Sequence, residues 1–340
     1  MAKGAERQSP SGACCGRMNA VFCALYRNGY CYFSGCVEVG RCCVNFDLND
    51  QEHEGRIAVA IHYDIQGGTL PFVTAELNYL APTCEKPRTY AYDLPPGEPK
   101  STAHAQPVQV KIADGRPIRD RLTLDRAGFA LVDQQTAVRD FYDDDEITRV
   151  YYPEASDFLR SSLGADRVFI FDHTVRKRVV GAADVRGDGP RQPASRVHVD
   201  QTLRSGPNRV HEHLPDEADE LLRGRVQVIN LWRPIKGPLR DTPLAMCDGT
   251  SVAQKDLVAS DLIYPNRQGE TYSVTYHPDH RWFYFPEMDV NEALLLKCYD
   301  SASDGRTRFG PHTAFVDPTT PEDASPRESI ELRALVFHHA

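Results

Sequence analysis

The chain has 340 residues, 41% of them hydrophobic and 26% charged, with a formal net charge of -9. That length accommodates one large domain with a full core, or two modest ones. The acidic balance disfavours a nucleic-acid partner, and no run approaches the roughly 18 uncharged apolar residues that a membrane span requires.

Residues 1–70 have a texture of their own. Seven of the ten cysteines precede residue 44: Cys14, Cys15, Cys23, Cys31, Cys36, Cys42 and Cys43. A disulfide-stapled protein would spread its cysteines through the fold. This set also lacks the paired spacing and the histidines of a zinc site. A poorly ordered, cysteine-rich extension with reduced thiols is expected, and with it a cytoplasmic setting. The mildly apolar stretch 18–26 is cut by Arg27 and Asn28, so no secretory signal is expected. A single folded domain is expected over 71–340.

Residues 81–118 are rich in proline and predict irregular structure with short extended pieces such as 108–112. A strand is expected at 128–132 and a helical region over 134–163, with Pro153-Glu154 opening a fresh helix and Gly164 closing it. The acidic run 143–146 reads as a solvated charge run or a helix cap. A strand follows at 167–172. Residues 181–195, with three glycines and two prolines, form a loop and a candidate lid. A short helix is expected at 215–223. Thereafter the pattern is of strands, at 226–232, 271–276, 281–285, 293–299 and 329–337. Helices in the middle and many strands late predict an α+β protein with a double-stranded β-helix core, a cupin-like jelly roll, and flanking helices.

The sharpest local signal is Val197-His198-Val199-Asp200. On a strand, residues i and i+2 share a face, so His198 and Asp200 project together as two candidate ligands for a divalent metal. Alone, such a pair is as easily a hydrogen-bonded surface pair. His312, in a Gly-Pro-His-Thr-Ala-Phe context, supplies a third candidate ligand. Two histidines and one carboxylate leave coordination positions open, as in non-haem Fe(II) oxygenases, whereas structural zinc is closed by four ligands. Arg327 and Ser329 share a face of the final strand. A guanidinium beside a hydroxyl suits a carboxylate, here the distal carboxylate of 2-oxoglutarate. The plainer alternative pairs Arg327 with Glu328 or Glu331. His-x-Asp, then His, then Arg-x-Ser, in that order, is the arrangement of 2-oxoglutarate-dependent dioxygenases.

Four stretches carry a closer resemblance: 198–202 (HVDQT), 214–248, 296–301 (LKCYDS) and 311–337 (PHTAFVDPTTPEDASPRESIELRALVF). Over about 73–337 the chain resembles the fungal hydroxylase/desaturase family of secondary metabolism, of the aspergillic-acid hydroxylase type, itself similar to the cephem-hydroxylating component CmcJ. The resemblance implies oxidation of a small natural-product intermediate, with Fe(II), 2-oxoglutarate and O2.

Several further residues are candidates. Asn230 and Trp232 share a strand face and are read as pocket wall or, for Trp232, core filling. Arg233 either binds a carboxylate or caps the strand. Lys297, in an apolar run, needs a partner, either the acidic cosubstrate or a protein carboxylate. Arg333 shares a face with Arg327 and is a second candidate anchor, with Arg327 preferred on spacing. His211 and His213 read as surface histidines. Two other functions fit the same triad: a zinc-type hydrolase, which needs no arginine anchor, and a non-catalytic jelly-roll binding protein. The oligomeric state is not legible.

Overall fold

The computed structural model describes residues 69–339 except 93, 96 and 183–190, together with the backbone of four short N-terminal strands. The chain divides into two units, Met1–Ala60 and Ile61–Ala340. In the first, β1 (Cys23–Arg27) pairs with β2 (Tyr30–Ser34), and β3 (Cys36–Val39) with β4 (Cys42–Asn45), both antiparallel. The rest of the expected extension lies outside the described residues, as does most of the expected 181–195 loop.

The second unit is built from two sheets. The larger runs β5 (Phe72–Leu80), β7 (Ala105–Asp114), β15 (Trp282–Tyr284), β12 (Leu244–Cys247), β17 (His312–Ala314), β10 (His198–Val199), β14 (Gln268–Val274), β13 (Leu257–Ile263), β6 (Arg88–Tyr90). The smaller runs β8 (Phe129–Asp133), β16 (Glu292–Asp300), β11 (Arg225–Pro234), β18 (Glu328–His338), β9 (Arg167–Lys177). The larger sheet is mixed: β6 and β7 enter it parallel to β13 and β15, and its other pairs are antiparallel. Both sheets curl around a common interior as a jelly roll.

Strand alternation decides what lies on each side of the smaller sheet. Trp232, Leu294 and Leu296 pack inward against Leu244, Met246 and Phe283 of the larger sheet. Ile229, Leu231, Ala293 and Leu295 pack outward against Ile147, Tyr151, Ala155 and Leu159 of the helical layer. β16 is covered on both faces, which explains its unbroken apolar run at 293–296. Pro107 is tolerated inside β7 because β15 pairs only with residues 112–114, leaving the Pro107 stretch bonded on one side alone.

The helical region agrees with expectation at its end and departs at its start. Asp143 accepts from the backbone N–H of Asp145 and Glu146 and caps α1 (Asp144–Glu146). A π-type turn over Ile147–Tyr151 leads into α2 (Tyr152–Leu163). Gly164 ends α2 at φ 59°, the left-handed conformation glycine adopts without a Cβ penalty. Residues 134–142 are irregular, not helical. The helix expected at 215–223 shrinks to α4 (Ala218–Leu221), preceded by an unforeseen α3 (Ser205–His213). Among the described residues no helix is long and apolar enough to cross a membrane.

α2 is held to the sheet by few large side chains, of which Leu159 is fully buried. Leu159→Ala is expected to lower stability by about 2–5 kcal/mol. Urea unfolding should show a lower midpoint with an unchanged slope.

Candidate metal centre

β10 lies between β14 and β17, and its pairing with β17 sets His198 directly opposite His312. Residues 198 and 312 are thereby cross-strand neighbours, with ring centroids 4.5 Å apart. Asp200, two residues on, turns back to the same point: its Oδ1 lies 3.4 Å from His198 Nε2. One potential ligand atom from each of the three residues falls within 4.8 Å of the others.

Each imidazole is oriented from behind. His198 Nδ1 is 2.7 Å from the Arg196 carbonyl and His312 Nδ1 is 3.0 Å from the Gly310 carbonyl. A carbonyl only accepts, so each Nδ1 carries the proton and each Nε2 keeps its lone pair for a cation. Burial, with the neighbouring His198 next, pushes the His312 pKa down and favours the neutral ring that binds metal. The turn before His312 is fixed by a close approach. Gly310 donates to the Lys297 carbonyl at 2.7 Å, and a Cβ on Gly310 would meet the Gly128 carbonyl oxygen at 2.6 Å.

Asp200 is held by the opposite sheet. Its Oδ2 accepts from Asn230 Nδ2 at 2.8 Å and from Arg333 Nε at 3.1 Å. Asn230 Nδ2 also donates to Glu331 at 3.0 Å, and Arg333 donates to the other Glu331 oxygen at 2.7 Å. The four side chains close a ring, made possible because Asn230 and Arg333 are cross-strand partners in β11 and β18. Burial opposes ionisation of Asp200, but Arg333, then His198 and His312, outweigh it and hold the carboxyl well below its usual range. Asp200 is thus a carboxylate with one oxygen engaged by the protein and the other turned to the histidines. This donor set, two neutral imidazoles and an ionised carboxylate turned to one point, fits a divalent transition metal with open positions.

Arg327 and Ser329 lie further along β18 and its approach, on the same inner face. Arg327 is 2% exposed. It donates from Nε to Ser329 Oγ at 3.1 Å and from a terminal nitrogen to the Thr242 carbonyl at 3.0 Å, and lies 4.9 Å from the centre of the Trp232 ring. No ion pair joins it to a carboxylate among the described residues. Burial, and next the charge of Arg176, push its pKa down to about 9. A buried guanidinium in this state favours an anion. Asn230 Oδ1 and Trp232 Nε1, buried on the same side of β11, find no hydrogen-bond partner, which also fits a polar ligand beside them. A cavity of about 490 Å³ lies beside the site, its wall formed by neighbours of these groups and not by the groups themselves. Its wall includes Thr242, which holds Arg327, and Ala314, two residues beyond His312 on β17, together with Glu76, Val179 and Phe315.

The remaining candidates go elsewhere. Arg333 is occupied by Asp200, Glu331, Asp172 and Thr174, so it orients Asp200 and leaves Arg327 as the better anion anchor. Lys297 is fully buried and donates to Asp125 at 2.7 Å and Asp300 at 2.8 Å; it takes the protein-carboxylate alternative. Arg233 points to the helical layer, where it donates to Gln134 at 2.6 Å and to the Val290 carbonyl and lies near the Tyr151 ring. Alternation along β11 sends Asn230 and Trp232 inward and Arg233 outward. His213 stacks on Phe171 at 4.9 Å. Glu331 enters the sequence reading only as an alternative partner for Arg327, yet polar residues at 327, 329, 331 and 333, alternating with apolar Ile330 and Leu332, signal an inner polar row.

A jelly roll carrying an open His/Asp/His set beside a buried arginine defines the class of non-haem iron oxygenases. The family model described as an oxidoreductase/YMDC permease-like domain matches residues 77–337. The hydroxylase/desaturase efuI of Hormonema carpetanum is 33% identical over 78% of this chain and 95% of its own. The alpha-ketoglutarate-dependent dioxygenase tstK of Talaromyces stipitatus is 32% identical over 77% and 96%. Among solved structures, the iron and alpha-ketoglutarate-dependent endoperoxidase NvfI superposes with a TM-score of 0.71 at 27% identity, covering 79% of this chain and 99% of that one. The chain belongs to the fungal Fe(II)/2-oxoglutarate-dependent hydroxylase/desaturase family.

Two substitutions separate the ring around Asp200 from the outward arginine. Asn230→Ala is expected to weaken Fe(II) binding about 10–100-fold, measured by chelator competition. Arg233→Met is expected to lower the unfolding midpoint and leave Fe(II) affinity unchanged.

Proposed function

We propose that His198 and His312, through Nε2, and Asp200, through Oδ1, hold the Fe(II). In the same reading Arg327 with Ser329 anchors the distal carboxylate of 2-oxoglutarate, and the cavity beside Ala314 and Phe315 receives a small natural-product intermediate. The observation that carries this reading is the convergence of three ligand atoms within 4.8 Å, together with a buried arginine on the inner face that has no carboxylate ion pair among the described residues. When bound, iron with 2-oxoglutarate and O2 supplies an oxidant able to take hydrogen from an unactivated C–H, and 2-oxoglutarate leaves as succinate and CO2.

The chain's own residues do the rest. The two backbone carbonyls fix the imidazole tautomers. Asn230, Arg333 and Glu331 keep one oxygen of Asp200 turned away from the metal, so that it binds through the other and leaves positions free for cosubstrate and O2. Val179, Phe315 and Ala314 supply apolar wall, which favours a substrate with a hydrophobic body and excludes water from the reacting carbon. Glu76, exposed at the rim, offers a carboxylate acceptor for a hydroxyl or amine of the substrate. Substrate oxidation ends in an alcohol when hydroxyl is returned to carbon, or in an alkene when a second hydrogen is lost.

A zinc hydrolase on the same triad would have no use for Arg327, and a binding protein would have no use for an open metal site. The catalytic unit is taken as residues 71–340. A reducing, cytoplasmic location belongs to the same reading.

Supplied with Fe(II) and 2-oxoglutarate in air, the wild-type protein should release succinate, and His198→Ala should release none. Succinate release undiminished by His198→Ala, or independent of O2, would overturn the assignment. Arg327→Met removes a charge-assisted contact worth about 1.5–3 kcal/mol. The KM for 2-oxoglutarate should therefore rise about 10–100-fold, with bound iron unchanged.

A further inference from the structure

β9, the edge strand of the smaller sheet, contributes one more guanidinium to the inner face. Arg176 is the direct cross-strand partner of Ser329. Opposed residues of an antiparallel pair share a face, with Cβ atoms about 4.5–5.5 Å apart. Ser329 accepts from Arg327 at 3.1 Å, so the two arginines flank one serine. The same row continues with Thr174 opposite Glu331 and Asp172 opposite Arg333. Asp172 and Thr174 both accept from Arg333. Arg176 has no such partner. Its side chain donates to the Gln192 carbonyl at 2.8 Å and forms no ion pair among the described residues. Burial is the main cause that lowers its basicity; Glu331 opposes it from a distance, and the charges of Arg333 and Arg191 add to it. Two guanidinium groups on one buried face, neither ion-paired, repel each other unless an anion lies between them.

We propose that Arg176 and Arg327 form a two-guanidinium clamp on the distal carboxylate of 2-oxoglutarate, so that Arg176 makes the enzyme select 2-oxo diacids over 2-oxo monoacids. The clamp rests on the assignment of the triad and Arg327 given above. Two forks can satisfy all four lone-pair positions of one carboxylate, which a single fork beside a serine leaves partly open.

The competing role for Arg176 is a latch. The segment after residue 190 docks on β9 through Lys177 N–H to the Arg191 carbonyl, Arg191 N–H to the Val175 carbonyl, and Arg176 to the Gln192 carbonyl. That segment runs on to His198. A latch would act on metal binding and on every 2-oxo acid alike, whereas a clamp acts only on acids with a distal carboxylate.

The test titrates Fe(II)-loaded protein, without O2, with 2-oxoglutarate and with 2-oxopentanoate, which has the same carbon chain and no distal carboxylate. Binding is followed by the iron-to-ligand charge-transfer absorption. Arg176→Met should raise the Kd for 2-oxoglutarate by at least about tenfold and leave that for 2-oxopentanoate and the Fe(II) affinity unchanged. Arg176→Lys keeps the charge without the fork and should recover part of the loss. If the methionine variant fails to fold, the lysine variant carries the test, with a weaker affinity expected for the diacid alone. Equal weakening of both acids, reduced Fe(II) affinity, or no change for 2-oxoglutarate overturns the clamp. Wild-type protein that binds iron and neither acid overturns the assignment of Arg327, and the clamp with it.

Discussion

The register between β10 and β17 is the constraint on which the active site depends. Setting His198 opposite His312 joins two positions far apart in sequence at the distance of neighbouring strands. Nothing local would do so. Both strands are very short, two and three residues, and their place is secured by longer neighbours, β14 on one side and β12 on the other. His198 and His312 thus sit on elements with little stability of their own, inside a sheet that has much.

The second requirement is electrostatic. Asp200 reaches across the interior to the smaller sheet, where Asn230 and Arg333 bind its far oxygen. A buried carboxylate beside two neutral rings would be costly without that support. Glu331 offsets the arginine that offsets Asp200. The result is a closed polar ring in which each charge has a named partner, the condition under which buried networks rigidify a site. Arg327 stands apart from this ring, and a bound dianion would complete its surroundings.

Much of this was legible in the sequence because several of the site's side chains sit in short, regular spacings. His198 and Asp200 are two apart on a strand, and the inner row of β18 alternates polar with apolar from Arg327 to Arg333. The late strands were readable from their β-branched and aromatic content. What escaped was decided by tertiary contacts. α3 contains Gly206, Pro207 and Asn208, poor helix formers, yet a Cβ at Gly206 would meet the Tyr299 ring at 2.4 Å, so the residue that weakens the helix is the one that lets it pack. Lys297 and Arg233 looked like ligands because both are cations in apolar strands. Lys297 pairs with Asp300 three residues on and with Asp125, 172 residues away, and Arg233 with Gln134, 99 residues away. Arg176 sits in a strand of mixed composition and gains meaning only from facing Ser329.

The alternation along β18 also guards the accuracy of assembly. From Arg327 to Arg333 the odd positions are charged or hydroxylated, whereas the even positions Ile330, Leu332 and Ala334 belong to the layer under α2. A slip of one residue against β11 would press two arginines and a glutamate into that greasy layer and leave isoleucine and leucine lining the reaction chamber. A misaligned strand pair would be rejected by solvation alone, before any ligand is present to reward the correct one.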